Sequence, residues 1–299
     1  MFQVPVLIIS YNRLVSFKRV FNQVKTLKPS KLYISSDGPK NSNDLSIINE
    51  IRLYIMNNVD WECNLFTKFE NTNLGCKINV SNSISWLFNT EEYGIILEDD
   101  TLPNISFFNF CETLLIKYLN NTEIYLISGE NKNFNFKNLK ESYTFSKYPL
   151  IYGWATWKRV WLQYRVNLYE YNASIDYKKN SLNKKYWVKI FDLLNQNKIN
   201  TWDYQLTYLI LFNSGLCIVP KENLVTNIGY GINSTNTYKK NIFSQLPNFK
   251  ILEINKHPNL INFNIDFHEY LTKYYFTNSI FKKIVINIKN VFSNCTFRF

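Results

Sequence analysis

The stretch "YGIILEDDTLPN", Tyr93 to Asn104, decides how this chain is read. Gly94 to Leu97 is a compact, largely apolar run of the length that fits a buried strand, and three carboxylates follow at once: Glu98, Asp99 and Asp100. The chain as a whole carries a formal net charge of +11, so this cluster runs against its overall balance. Adjacent carboxylates repel one another, and partial burial at a strand end adds a desolvation cost unless a cation neutralises them. A divalent ion with hard oxygen ligands, Mg²⁺ or Mn²⁺, meets that need and keeps positions open for water and phosphate oxygens. The plainer reading is a solvated acidic turn that caps the next helix. Both readings stand at this point.

The same pattern recurs on either side. Val4 to Ser10 is a β-branched run ending in the polar turn Tyr11-Asn12-Arg13, and an amphipathic helix fits Val15 to Leu27, with Val20, Phe21 and Val24 on one face. "KLYISSDGPK" reads as a second strand ending at Asp37-Gly38-Pro39. A helix over Asp44 to Asn57, a strand in "ECNLFTKFE" and a helix over Lys77 to Phe88 lead to the strand at Gly94. Strand alternating with helix predicts an α/β fold with a mostly parallel sheet, which binds ligands at the carboxyl ends of its strands. Three expected strand ends there are polar: Asn12-Arg13, Asp37 and Glu98-Asp99-Asp100. Their convergence weighs more than any one of them.

Beyond about residue 105 the regularity fades into a helical "FFNFCETLLIKYL", a strand-like "EIYLISGEN" and the aromatic-rich "YPLIYGWATWKRVW". A chain of 299 residues can bury a full core. Eight Gly and eight Pro are too few for a fibrous or disordered chain. Five scattered Cys with no CxxC pair and two His offer too few ligands for zinc and read as free thiols in a reducing compartment. The opening "MFQVPVLIISYNR" lacks a basic leader and reads as a first strand, not a targeting segment.

The ordered series "ISYNR", "SSDG", "NLGCKINVSNSISW", "ILEDD", "YPLIYGWATWKRVW" and "NLVTNIGYG", with "P…FF" after the acidic triplet, resembles a bacterial family of nucleotide-diphospho-sugar transferases with the GT-A fold. It is distantly similar to N-acetylglucosaminyltransferase I, and the resemblance covers about residues 4 to 237. It implies a GT-A catalytic domain over 1–250, with a nucleotide-sugar-binding half over 1–110 and an acceptor-side half over 111–250. Residues 251–299 are then a basic amphipathic extension.

The resemblance also implies roles. Asp100 corresponds to the direct protein ligand of Mn²⁺, Glu98 and Asp99 to groups meeting the donor sugar and ribose, and Asp37 to the carboxylate facing the base. Arg13 would lie on the nucleotide or its phosphates, where a permanently charged donor fork is apt. Lys77 would approach the donor phosphates from a helix start. Asp203, after Trp202 in "NTWDYQLTYLI", aligns with the base of an inverting displacement, with Glu130 in "ISGEN" as the competing base. Apart from the resemblance, the aromatic stretch Tyr152-Gly153-Trp154 with Trp157 offers flat faces that suit sugar C–H surfaces, so Trp154, together with Trp202 and Glu130, would wall the sugar or acceptor site. Each has a plainer alternative: Arg13 as a helix-start residue, Asp37 as a turn residue, Asp203 as a favourable charge on a helix N-terminus, Trp154 as core. The chain departs from its relatives in "GYGINSTNT", where Asn233 and Asn236 replace an acid and a His, and Lys77 stands where relatives carry Gly.

No nucleic-acid motif accompanies the positive charge. The tail from Phe267 to Phe299 is basic and amphipathic, with Ile280, Ile284 and Ile288 at helical spacing and Lys282, Lys283 and Lys289 off that stripe. It would rest on an anionic membrane surface or dock on the catalytic domain. The expectation is a cytoplasmic transferase, peripheral on the inner membrane face. It would use Mn²⁺ or Mg²⁺ and a nucleotide-sugar donor, UDP-linked in preference, with a glycan or lipid-linked glycan acceptor. The rival reading is a non-catalytic GT-A-like glycan-binding or scaffold protein at the membrane surface.

Overall fold

The computed structural model describes residues 1–168, 184–229, 247–248 and 252–276. Asn233, Asn236 and the tail positions Ile280, Ile284 and Ile288 with their lysines lie outside the described residues. The first half is built as its hydrophobic periodicity dictates. β1 (Val6–Ser10), β2 (Lys31–Ser36), β3 (Asn64–Phe69) and β4 (Tyr93–Glu98) alternate with α1 (Leu14–Leu27), α2 (Ser42–Asn58) and α3 (Gly75–Thr90). α1 buries Phe17, Val20, Phe21 and Val24, the i, i+3, i+4, i+7 stripe of a helix lying on a sheet. α2 starts where the Asn41 side chain accepts the Asp44 amide, a cap that stabilises a helix by about 1 kcal/mol.

The later elements are β5 (Thr101–Pro103), α4 (Ile105–Lys117), β6 (Ile124–Ser128), β7 (Tyr143–Ser146), β8 (Trp154–Trp157), α5 (Lys158–Trp161), α6 (Lys184–Asn195), α7 (Asp203–Phe212), β9 (Leu216–Pro220), β10 (Val225–Asn227) and α8 (Ile265–Tyr274). Eight strands form one mostly parallel sheet in the order β3-β2-β1-β4-β8-β6-β9-β7, with β8 and β7 antiparallel to their neighbours. β10 and β5 make a separate two-stranded ribbon.

The topology fixes where a ligand can sit. From β1 the chain steps outward to β2 and β3, then returns to place β4 on the other side of β1. That reversal opens a crevice at the carboxyl ends of β1 and β4, the switch point where open α/β sheets take ligands. The register puts Glu98 level with Ile9, and Ile9 level with Ser35. Arg13, Asp37 and the carboxylates therefore leave three adjacent strands at nearly one height, with about 4.8 Å between strands.

Two apolar clusters hold the frame. The larger joins the sheet to α1–α5 and α7, and the smaller gathers Tyr148, Trp187, Phe191, Phe267 and Leu271. Residues 252–276 pack onto this body: the Leu252 amide donates to Ser106, Ser142 N–H donates to Lys256 O, and Phe263 bridges Phe145. Among the described residues no helix is long and apolar enough to cross a membrane.

Candidate functional site

The crevice is a cleft of about 600 Å³ at the carboxyl ends of β1, β2 and β4, closed on its far side by the start of α7. Arg13, Asp37, Glu98, Asp99, Asp100 and Asp203 all line it. Trp202 reaches its edge, but Lys77, Glu130 and Trp154 do not.

The acidic turn is held from three directions. Asp99 accepts the Tyr11 amide at 2.9 Å and one Arg13 nitrogen at 2.6 Å. The same Arg13 nitrogen lies 3.1 Å from Asp100 Oδ2, so one guanidinium bridges two carboxylates. Behind them Thr101 closes a turn, accepting the Glu98 amide and donating to the Glu98 carbonyl. The Asp100 carbonyl accepts the Ile228 amide at 2.8 Å, which ties the ribbon of β10 and β5 to the turn. Gly229 then passes so close that an added Cβ would collide with the Asp100 carboxylate.

Charge in the cluster is only partly compensated. Burial disfavours the Arg13 charge, but Asp99 and Asp100 outweigh it and the net shift is upward, so Arg13 stays a cation. Burial first, then Asp100 and Asp99, push Glu98 up to about 8; burial, then Asp99, push Asp100 up to about 6. No side chain among the described residues pairs with the Glu98 carboxylate, whereas Asp99 and Asp100 share Arg13. An acceptor-rich, under-neutralised wall of hard oxygens suits a divalent cation. No three His, Cys, Asp or Glu side chains among the described residues converge to hold one, so a cation there would complete its shell with water or ligand oxygens.

Asp203 stands opposite, on the first turn of α7, where a negative charge suits the helix macrodipole. The Thr201 hydroxyl donates to Asp203 Oδ1 and fixes its direction. Burial raises the Asp203 pKa and Thr201 opposes the shift. Its charge is felt by Glu98 and by Cys76, whose thiol burial, Glu98 and Asp203 together push up to about 12. That shift favours the neutral thiol of Cys76 over the thiolate.

Asp37 is placed at the cleft but is not free for a ligand. Its Oδ1 accepts the amides of Gly38 and Leu74 at 2.9 and 2.8 Å, and its Oδ2 accepts Gly75 N–H and Asn73 Nδ2, both at 3.1 Å. Four donors fill a carboxylate, so Asp37 clamps the loop between β3 and α3.

Three further expectations are corrected in placement. Lys77 turns away from Cys76 into a neighbouring cavity and donates to Asn167 at 3.0 Å. Glu130 lies just past β6 in a buried ion pair with Lys132 at 2.7 Å. Trp154 is 1% exposed on a strand buried on both faces and stacks on Trp202 at 5.8 Å. Of this aromatic stretch it is Tyr152 that lines the cleft, beside Tyr11, Trp202 and Tyr204, and Gly153 after it takes φ +64 in a position where a Cβ would strike Val225. Lys132 sits under the Tyr152 ring at 4.4 Å.

Two organising residues escaped the sequence reading. Asp44 accepts Tyr11 Oη at 2.6 Å, Asn12 Nδ2 at 2.8 Å and the Lys40 amide at 3.2 Å, joining the loops after β1 and β2. The Tyr11 bond first of all lowers its pKa, keeping it ionised. Thr201 is the other, and its spacing two residues before Asp203 was the available signal.

No protein-family model matches the chain, and no curated protein does. Among solved structures it is similar to the mannosyltransferase PcManGT from Pyrobaculum calidifontis in complex with GDP-Man and Mn²⁺, at 13% identity and TM-score 0.38. That alignment covers 55% of this chain and spans about half, 47%, of the other. It is also similar to HddC from Yersinia pseudotuberculosis (12% identity, 52% and 77% covered, TM-score 0.32). A third is mouse xyloside xylosyltransferase 1 (8% identity, 71% and 82% covered, TM-score 0.33). These likenesses are loose, and the functional reading rests on the cleft.

Proposed function

We propose that the chain is a glycosyltransferase that moves a sugar from a nucleoside-diphosphate donor, UDP-linked in preference, to a hydroxyl of a glycan or lipid-linked glycan. One observation carries the reading: an under-neutralised carboxylate turn at the sheet's switch point shares a single cleft with a half-buried carboxylate, Asp203, held in one direction by a hydroxyl.

The donor half follows from charge. Asp100 and Glu98 supply the oxygens that would hold Mn²⁺ or Mg²⁺, and the ion when bound would neutralise the leaving diphosphate. Arg13 supplies a fixed cation beside the same site. Asp99, spent on Arg13 and the Tyr11 amide, orients that cation. Asp203 accepts the acceptor's proton as the hydroxyl attacks, and its raised pKa brings it nearer the working range of a general base. A base on the face opposite the leaving group leads to inversion.

Thermal unfolding with UDP, GDP, CDP and CMP, each with and without Mn²⁺, tests the donor site. Ligand at about a hundred times its dissociation constant adds about 2.7 kcal/mol. A cation-dependent shift with one nucleotide, lost in Asp100→Asn, is expected. Release of nucleoside diphosphate from the matching nucleotide sugar should then fall about 10² to 10⁴-fold in Asp203→Asn, with nucleotide binding intact. No shift with any nucleotide, or turnover unchanged in Asp203→Asn, refutes the assignment.

A further inference from the structure

Lys77 and Gln205 share a cavity of about 150 Å³ beside the cleft, and each is unexplained by its own element. Lys77 is in the first turn of α3, where a cation opposes the macrodipole and no acidic residue shares the turn. Its ammonium donates to Asn167 Oδ1, and no carboxylate pairs with it among the described residues. Gln205 is 2% exposed. Its Nε2 donates to Val166 O at 3.1 Å and Thr201 O at 2.7 Å, which fixes which end is oxygen. Its Oε1 is buried without a hydrogen-bond partner. An unpaired buried acceptor costs stability unless something fills it.

The rest of the wall sorts by chemistry. Asn195 and Asn197 offer amides, while Val166, Leu168 and Leu194 offer apolar surface. A cavity of this size accepts one six-membered ring. A cation that no carboxylate pairs with among the described residues, a buried acceptor, further amides and a short apolar face match a pyranose carrying a negative charge. Its anion would meet Lys77, a hydroxyl would donate to Gln205 Oε1, and its C–H face would lie on the leucines.

The geometry points to a second ligand site here, binding one sugar ring that bears a carboxylate or a phosphate. It is separate from the carboxylate cleft and joined to it by one bond: Gln205 Nε2 holds the carbonyl of Thr201, whose hydroxyl holds Asp203. The site does not require Asp203 to be catalytic, so it stands or falls apart from the transferase reading.

Saturation-transfer NMR on the full chain tests it with D-glucuronate, D-glucose 6-phosphate and uncharged D-glucose as probes. A ligand of one ring binds with a dissociation constant on the order of 1 mM. Saturable binding of an anionic sugar is expected, about tenfold weaker in Lys77→Met and in Gln205→Leu and unchanged in Asp100→Asn. Lys77→Met is the decisive variant, because Gln205→Leu also removes two bonds to the backbone. Anionic binding no tighter than glucose overturns the assignment, as does binding unchanged in Lys77→Met or lost in Asp100→Asn. Absence of saturable binding in the unaltered chain means the cavity holds water only, and also overturns it.

Discussion

Replacing Arg13 by Met keeps the apolar stem and removes the guanidinium that bridges Asp99 and Asp100. The magnitude follows from the geometry. A charge pair near 4 Å is worth about 4 kcal/mol at an effective dielectric of 20, and part of that offsets desolvation. Removing one partner of a buried pair costs about 3 to 5 kcal/mol. These side chains are 19%, 3% and 13% exposed, so solvent screens them little. Proton uptake softens the loss, because Glu98 and Asp100 are already raised and would rise further.

The sign with pH follows from that. At about pH 8.5 the variant keeps most of its carboxylates charged and should lose about 3 kcal/mol, or roughly 6 °C in a chain of this size. Near pH 6 the loss should shrink, since protonation relieves the repulsion. Mn²⁺ should narrow the gap. With the Arg13 guanidinium removed from beside Asp100, a tenfold tighter site would add about 1.4 kcal/mol of cation-dependent stability. Differential scanning fluorimetry at the two pH values, with and without Mn²⁺, reads both effects. A variant that melts within about a degree of the unaltered chain at high pH refutes the electrostatic account. A Mn²⁺ shift no larger than in the unaltered chain refutes the competition.

Three other outcomes follow from single contacts. Asp37→Ala should lower stability by about 3 kcal/mol in urea unfolding, because it orphans the amides of Leu74 and Gly75 at the start of α3; a loss under about 1 kcal/mol would show the clamp is not needed. Gly229→Ala should abolish Mn²⁺ binding by calorimetry without altering any charge, since the new methyl displaces the Asp100 carboxylate; unchanged affinity would remove Asp100 from the cation site. Burial, aided by Lys147, lowers His268 from 6.5 to about 4, so it folds neutral and its stabilising share, up to about 3 kcal/mol, is lost as pH falls through that interval. His268→Phe should flatten the stability slope over that window, and an unchanged slope would exonerate the ring.

The strands and helices of the first half were legible because each is periodic within itself. The three polar strand ends were legible as a site because a parallel sheet aligns such ends by topology alone. Asp37 shows where this stops. Its position at the cleft followed from β2, but its occupation by Asn73, Leu74 and Gly75 depends on a loop some 36 residues later. Lys77 failed on rotation: one residue past Cys76 is 100° around α3, enough to leave the cleft. Trp154 lies away from the cleft because β8 is buried on both faces, so alternation has no open side to offer, and the half-buried aromatic that lines the cleft is the one before Gly153. Glu130 found Lys132 two residues on, in a turn where Lys132 and Asn133 both take positive φ, a conformation that local pattern does not announce.

Read as charge, the cleft explains its own asymmetry. A chain of net +11 has cations to spare, yet among the described residues the acidic turn pairs with Arg13 alone and Glu98 has no side-chain partner. Full neutralisation by a second lysine would have been the more stable solution for a purely structural turn, as Lys31 does for Glu91 at 2.9 Å elsewhere on the same sheet. Burial and neighbouring carboxylates instead raise Glu98 and Asp100, and Arg13 bridges Asp99 and Asp100, an arrangement that suits the divalent ion proposed above. Gly229 leaves the Asp100 carboxylate the room that such binding would need, and the bond from Ile228 to the Asp100 carbonyl links the turn to the segment after β10. Gathering three neighbouring carboxylates here is thus costly to stability, and the cation binding proposed above would offset that cost.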